Sequence, residues 1–527
     1  MCYILLLNLY AQRSTDEQPF GLKFQTQMQS TVALTSPDRV LIEKEDLNND
    51  QQPGAVRYAY PLHVNYTLEN SGVWQQLDDG SKLWKLKVNI SGALSTNTYY
   101  DKFWLPEGCK FFVYNEDTKQ FIGAIISDFI DGSRDKPIEF ATALIYEENV
   151  IYEYYQPAYV NELPIISISR IDYGYRYINS PFENEHRGFG DSGSCNININ
   201  CQEGDNWQRE KHAVARVSVV SPSGSGWCSC ALINNTNNDF TPYVLTANHC
   251  LSGFDAVSNS NASQWMFYWG YEHSGCANST IQPTHRTSTG ATVVANNTYS
   301  DFALLKIVAN QDPKNISGVS PYYLGWDRSG NVGIGGVGIH HPKGDVKKIC
   351  STSNIQNQSS QITISGQVCE ANTHWKVVWK SGTTEGGSSG SSLIDNNCHI
   401  VGQLHGGSAG CSNLSGLDYY GKISVSWIGS SNETNSKRKL QPWLDPNNTV
   451  STLAGLSSPP QPPPCTSPIV IFTNQTVTTN QTVTSQCNIY VKNVTISNNA
   501  KLILDSFYKT TIDGPFEVKL GSQLEVK

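Results

Sequence analysis

Apolar positions along this chain of 527 residues come in short runs of strand length, separated by glycine, asparagine and proline. Lys110-Phe111-Phe112-Val113-Tyr114 and Phe121-Ile122-Gly123-Ala124-Ile125-Ile126 are two such runs in the N-terminal third. Val244-Leu245-Thr246-Ala247 reads as a short buried strand whose last, small residue lets the chain turn and present His249 at the strand end. Phe302-Ala303-Leu304-Leu305-Lys306-Ile307 is a further buried strand, and it would carry the preceding residue, Asp301, into a dry position. Later, Ile496 to Leu504 and Pro515 to Val526 repeat the same short-strand pattern. The chain therefore predicts an all-β protein.

Placed on those strands, three residue types point to acyl-transfer chemistry. A serine hydroxyl is a weak nucleophile at neutral pH, so it needs an imidazole to accept its proton and a carboxylate to orient that imidazole. Thr246-Ala247-Asn248-His249-Cys250, Ser300-Asp301 and Glu385-Gly386-Gly387-Ser388-Ser389-Gly390-Ser391 supply His249, Asp301 and Ser389 in that order. The glycines around Ser389 allow a tight loop in which the amides of Gly387 and Ser389 converge as an oxyanion hole. A Gly/Ser loop alone is common; with His249 and Asp301 in order and strand-flanked, coincidence is a poor account.

From about Gly190 to Leu456 the chain resembles the trypsin-like serine proteases, and within them the bacterial lysyl endopeptidase branch. The matching segments run in order: Asp191 to Glu203, Leu232-Ile233-Asn234-Asn235-Thr236, Gly325-Trp326-Asp327-Arg328, Ile339-His340-His341-Pro342, Gln403-Leu404-His405-Gly406-Gly407 and Trp443-Leu444-Asp445-Pro446. The resemblance implies two six-stranded antiparallel β-barrels with the catalytic cleft between them. It also implies substrate contacts from His405, Gly406 and Gly407, with the imidazole of His405 packed on His249. A protease that reads lysine or arginine needs a buried carboxylate opposite the cation. The usual trypsin position, six residues before the nucleophile, is Thr383, whereas Asp418 matches the acid of lysyl endopeptidases. The tryptophan that stacks on the histidine in the best-known members is absent, with Gly366 at its place, which leaves arginine acceptance open. Of fourteen cysteines, the resemblance pairs Cys195 with Cys411, Cys201 with Cys276, and Cys228 with Cys250. Among the remainder of that region the expectation is Cys350 with Cys369 and Cys230 with Cys398, one of three possible connectivities. A zinc site is the rival use, but neither a Cys-x-x-Cys pair nor a spaced Cys/His set supports it, so no metal and no cofactor are expected; no acidic loop argues for calcium.

Composition narrows the class without adding chemistry. A net charge of −9 with no basic cluster argues against nucleic acid, and no segment reaches the ~18 apolar residues of a membrane span. Only 16% of residues are charged, and the disulfides imply an oxidising compartment, so the protein is expected to be extracellular. Residues 1–11 read as the end of a secretory signal that lacks a positive start. Residues 12–189 resemble the propeptides of the same branch, serving as folding aid and inhibitor, with cleavage near Phe189-Gly190. Residues 190–456 form the protease domain, 457–464 a polyproline linker, and 465–527 a small β module stapled by Cys465 and Cys487. That module resembles stacked β units appended to secreted proteins and reads as a surface- or carbohydrate-binding tether. Sequons such as Asn89, Asn261, Asn278 and Asn493 permit glycosylation and no more. The expectation is thus a monomeric secreted endopeptidase acting on protein or peptide substrates, cleaving after lysine and, as an open question, arginine. The competing expectation is a silent binding or adhesion protein that keeps the protease fold.

Overall fold

The computed structural model describes residues 10–12, 14–15, 17–23, 30–50, 54–117, 120–176, 191–251, 261–279, 282–430, 433–458, 470–485, 488–506 and 509–527. Most of the signal-like start, the expected cleavage point near Phe189-Gly190, most of the proline-rich linker and the Cys465–Cys487 staple lie outside these residues. The chain divides into two compact units, 1–461 and 462–527.

The middle of the first unit has the two barrels of the trypsin-like fold. In the first, Val214–Ser221, Gly224–Leu232, Tyr243–Ala247 and Phe302–Ile307 follow one another in chain order as antiparallel neighbours. The ring closes through one bent strand. His285–Thr289 pairs with Met266–Trp269, while Ala291–Asn297 pairs with Phe302–Ile307. The bend sits at Gly290, whose φ is +87° and whose added Cβ would lie 2.9 Å from the Ser263 carbonyl, so only glycine suits it.

The second barrel uses Gly336–His340, Lys348–Thr352, His374–Val377, Ser392–Asp395, His399–Gly407 and Asp418–Lys422. Closure comes from the chain beyond His374–Val377, where the Lys380 amide and the Thr352 hydroxyl bond across to Ser351 and Val378 carbonyls. Strand residues on the inner faces are almost wholly apolar and buried, which is the burial that drives the fold at about 25 cal/mol per Å². The expected runs at 244–247 and 302–307 are strands, and so are those at 110–114 and 121–126 within a residue or two.

The N-terminal region is also mainly β. Val56–Thr67, Ile165–Gly174, Ser95–Trp104 and Ile138–Tyr146 form one sheet, and a second sheet is built around Lys82–Ile90 and Asn149–Gln156. Its one long helix, Arg39–Asn49, starts at Asp38, which accepts from the Val40 and Leu41 amides. Val56–Thr67 pairs with Gly224–Leu232, so the sheet of this region runs directly into the first barrel. Tyr58 stacks on Trp227 with ring centroids 4.0 Å apart, and its hydroxyl meets Ser218. Arg57 is buried and holds Asp46, Glu45 and the Ser223 carbonyl. The end of the helix and residues 54–56 are thereby fixed against the first barrel.

The second unit is a small parallel stack. Val470–Val477, Asn488–Ile496 and Lys509–Val518 form one sheet, and Gln481–Ser485, Lys501–Ser506 and Gln523–Val526 the other. Val477, Ile489, Val491, Val494, Ile496, Leu502 and Leu504 fill the space between. Each turn of such a stack buries its apolar face only against the next. Among the described residues no helix is long and apolar enough to cross a membrane.

Candidate active site

Tyr243–Ala247 delivers His249 on the short helical turn that follows it, and Phe302–Ile307 places Asp301 at its start. Asp301 is fully buried and adopts a left-handed φ of +58°, a conformation that aspartate tolerates at a cost of about 1–3 kcal/mol. That turn aims both carboxylate oxygens at one residue. Oδ1 accepts from the His249 amide at 2.9 Å, and Oδ2 lies 2.7 Å from His249 Nδ1. Burial pushes the Asp301 carboxyl up, but the imidazoles of His405 and His249 and the hydrogen bonds from His249 outweigh it, leaving the carboxyl below its ordinary value. Asp301 is therefore an anion at neutral pH, and it fixes His249 with Nδ1–H inward and the Nε2 lone pair outward.

Ser389 faces the same cleft as His249. Among the described hydrogen bonds none joins its hydroxyl to Nε2, a looseness common before substrate binds. Gly387 has a φ of +91° and an added Cβ there would lie 2.8 Å from the Lys343 amide, so glycine is required. In the loop, the amides of Ser388, Gly390 and Ser391 donate to Glu385, Leu404 and Ser388 carbonyls respectively. Those of Gly387 and Ser389 have no acceptor among the described residues, so two adjacent donors are left for a ligand oxygen.

Several residues hold this loop in roles the sequence did not assign to them. Ser229 donates to the Gly387 carbonyl and accepts from the His341 amide. Ser388, fully buried, bonds His340 Nδ1 and the Glu385 amide. Glu385 accepts from the Gly193 amide and Asn196 Nδ2, both at 2.7 Å, and pairs with Lys343. The segment beginning at Asp191 is thus tied to the nucleophile loop.

At the far end of the cleft stands Asp418, 1% exposed. Its Oδ2 accepts from Trp379 Nε1 at 2.7 Å and from Thr384 Oγ1 at 2.5 Å. Burial raises its pKa, and the bonds from Thr384, Trp379 and the Ala409 amide only partly offset this. Gly406 and Gly407 form one wall; a Cβ on Gly407 would come within 2.3 Å of Asp418 Oδ1 and fill the space.

His405 stacks on His249 with centroids 5.8 Å apart, and its Nε2 is 3.9 Å from Asp301 Oδ2. Gly366 lies in the exposed turn of the Ile362–Ile364 and Gln367–Cys369 hairpin with φ of +85° and presents nothing to His405. The neighbour of His405 is instead His374, at a centroid distance of 5.1 Å.

Cys195–Cys411, Cys201–Cys276 and Cys228–Cys250 are bonded. The other expected pairs are not: Cys230, Cys350, Cys369 and Cys398 are thiols, as is Cys109. Each sits on a different strand or turn and is buried or half-buried among its own neighbours, Cys350 beneath Gly338 and Cys369 beside His405.

Two antiparallel barrels, with His249 and Ser389 lining one cleft and Asp301 bonded to His249, define the fold: it is that of the trypsin-like serine proteases. Residues 189–421 match the family described as lysyl endopeptidase, C-terminal domain. The chain is similar to the lysyl endopeptidase of Pseudomonas aeruginosa, 28% identical over 258 residues, which are 47% of this chain and 52% of that protein. The chain thus spans about half the length of the curated relative it matches. Among solved structures, the protease Anisep from Arthrobacter nicotinovorans aligns at 16% identity over 40% of this chain and 90% of its own, with a TM-score of 0.28. The serine endoprotease from Yersinia pestis aligns at 16% identity over 42% of this chain and 61% of its own, with a TM-score of 0.27.

Proposed function

We propose that this chain is the precursor of a secreted serine endopeptidase that cleaves on the carboxyl side of basic residues. The observation that carries the reading is that one cleft is lined by His249, which the buried Asp301 holds from behind, by Ser389 and, at its end, by the buried carboxylate of Asp418. Ser389 Oγ attacks the scissile carbonyl as His249 Nε2 takes its proton. Asp301 holds the imidazole in the required tautomer and stabilises the imidazolium. The amides of Gly387 and Ser389 receive the oxyanion. His249 then protonates the leaving amine, and water repeats the sequence on the acyl-enzyme. Asp418 receives the ammonium or guanidinium of the residue before the scissile bond, replacing the solvation that the cation loses.

The N-terminal region acts as an inhibitory propeptide. Asn49, Asp50, Gly54, Ala55 and Val56 line the same cleft as His249 and Ser389, and Val56 Cγ2 lies where a side chain on Gly386 would project. A substrate strand and these residues compete for one space. The disulfides support secretion, and the C-terminal stack, too small for chemistry of its own, serves as a tether to a surface or carbohydrate.

The test is hydrolysis of paired lysine and arginine peptides by the chain after removal of the N-terminal region, with Ser389→Ala and a serine-directed phosphonate label in parallel. Cleavage after basic residues, one label per chain and an inert Ser389→Ala support the reading. An unlabelled protein that hydrolyses nothing would make it a binding protein on a protease scaffold.

A further inference from the structure

Behind the candidate catalytic pair, and reaching the substrate cleft through His405, three soft or borderline ligands meet in the interior. Cys369, His374 and His405 are 2%, 0% and 4% exposed, and their ligand atoms lie within 4.8 Å of one another. His374 Nε2 is 3.0 Å from His405 Nδ1, and Cys369 Sγ is 3.8 Å from the same nitrogen. A tetrahedral zinc ion with ordinary Zn–N and Zn–S bonds sets its ligand atoms about 3.3–3.6 Å apart. The cluster is close to that without rearrangement.

Hydrogen bonding around the cluster decides which lone pairs face inward. The Thr373 hydroxyl has one proton and lies 2.7 Å from the Glu370 carbonyl, which must receive it. The same oxygen lies 2.7 Å from His374 Nδ1 and so accepts from an Nδ1–H. His374 is therefore left with its Nε2 lone pair directed at His405 Nδ1. On the other face of His405, Nε2 is buried with no hydrogen-bond partner among the described residues and stands 3.9 Å from the Asp301 carboxylate. An Nε2–H is the form that suits an anion there. In that form Nδ1 turns its lone pair toward that of His374, and a bound cation can accept both; without one, a His405 Nδ1–H donates to His374 Nε2 across the same 3.0 Å. Histidine ligands held through the other ring nitrogen are the usual support of a metal site. The connecting loop is also rigid: Gln358 bonds the His374 amide, the Glu370 carbonyl and, through its own carbonyl, the Asn372 amide.

We infer that Cys369, His374 and His405 form a transition-metal site of zinc type, whose occupation holds His405 as its Nε2–H form against Asp301 and switches the protease off. No Cys-x-x-Cys signature announces it because the ligands come from a hairpin end, a strand start and a third strand. Binding forms a metal–thiolate bond and releases the Cys369 proton to solvent; no redox step is involved. The positive charge then sits one ring away from His249, on which an imidazolium must form during acyl transfer, and opposes it.

The site itself is tested without reference to activity, whereas the switch rests on the proteolytic reading. The full chain, reduced and stripped with chelator, is titrated with Co²⁺ and, separately, with Zn²⁺ under equilibrium dialysis. Expected are a thiolate-to-cobalt charge-transfer band and a zinc site that Cys369→Ser and His374→Gln each weaken by about 100-fold, with thermal unfolding used to confirm that both variants fold. Absence of the band in the parent chain, or its survival in a folded Cys369→Ser, overturns the site. On the processed protein, zinc is expected to lower peptide hydrolysis at least about 10-fold, reversed by EDTA and shifted to about 100-fold higher zinc in Cys369→Ser. Equal inhibition of parent and variant, or none in a parent that binds zinc, overturns the switch. If the chelated parent hydrolyses nothing, the protease reading fails while the cobalt band still decides the metal site.

Discussion

If Asp418 receives the substrate cation as proposed, replacing it by asparagine removes the charge opposite that cation while keeping most of the side chain's contacts. The two side-chain donors, Trp379 Nε1 and Thr384 Oγ1, aim at Oδ2, and an amide oxygen placed there still accepts from both; the bond from the Ala409 amide is the contact the new NH2 group could disturb. The loss is electrostatic. Two unit charges about 4 Å apart at an effective dielectric near 20 attract by about 4 kcal/mol. Part of that is spent on taking the ammonium out of water, and truncating one member of a buried charge pair costs about 2–5 kcal/mol. We expect kcat/KM on lysine peptides to fall about 30- to 1,000-fold in Asp418→Asn, with cleavage after an uncharged isostere such as norleucine unchanged or improved. The pH dependence follows from the same burial. Because the carboxyl is raised above its ordinary value, it takes up a proton earlier than a solvated aspartate as pH falls. Lysine peptides should lose kcat/KM toward acid pH more steeply than norleucine peptides in the parent, and the two profiles should coincide in Asp418→Asn. Equal losses on charged and uncharged peptides, or no loss on either, would refute the assignment of Asp418 to the cation.

Asp301→Asn should lower kcat by about 10,000-fold with KM little changed, because the amide favours the wrong tautomer of His249; steady-state kinetics on one lysine peptide checks this. The chain before removal of its N-terminal region should bind a serine-directed label far more slowly than after removal, since residues 54–56 line the cleft; equal labelling rates would sink the inhibitory role. Stability should fall on acidification. Burial holds His285, His340 and His374 neutral in the fold, down to about 3 in each case, against 6.5 when solvated. The folded value is the lower one, so between 6.5 and 3 the unfolded chain binds more protons and stability is lost as pH drops. Three such groups give a slope of up to about 4 kcal/mol per pH unit. A thermal midpoint that stays flat from neutral pH down to about 4 would contradict it.

Local features carried much of this protein in the sequence itself. A run such as Phe302 to Ile307 buries all of its residues but Lys306 and so becomes a central strand; Gly387 and its neighbours specify a tight loop because φ of +91° is closed to other residues. The order of His249, Asp301 and Ser389, each at a strand end or in a glycine loop, was legible for the same reason: each setting is encoded within a few residues. The pattern could not carry what depends on register between distant strands. Thr384 and Trp379 reach Asp418 across 34 and 39 residues, the thiols of Cys230, Cys350, Cys369 and Cys398 end apart rather than paired, and the bend at Gly290 turns two short runs into one closing strand. Likewise, only the pairing of Val56–Thr67 with Gly224–Leu232 brings the N-terminal region to the cleft. His374 and His405 meet because antiparallel pairing of His374–Val377, Asp418–Lys422 and His399–Gly407 sets them side by side. A one-residue slip in either ladder would send those side chains to opposite faces, so the tertiary register alone decides what stands behind Asp301.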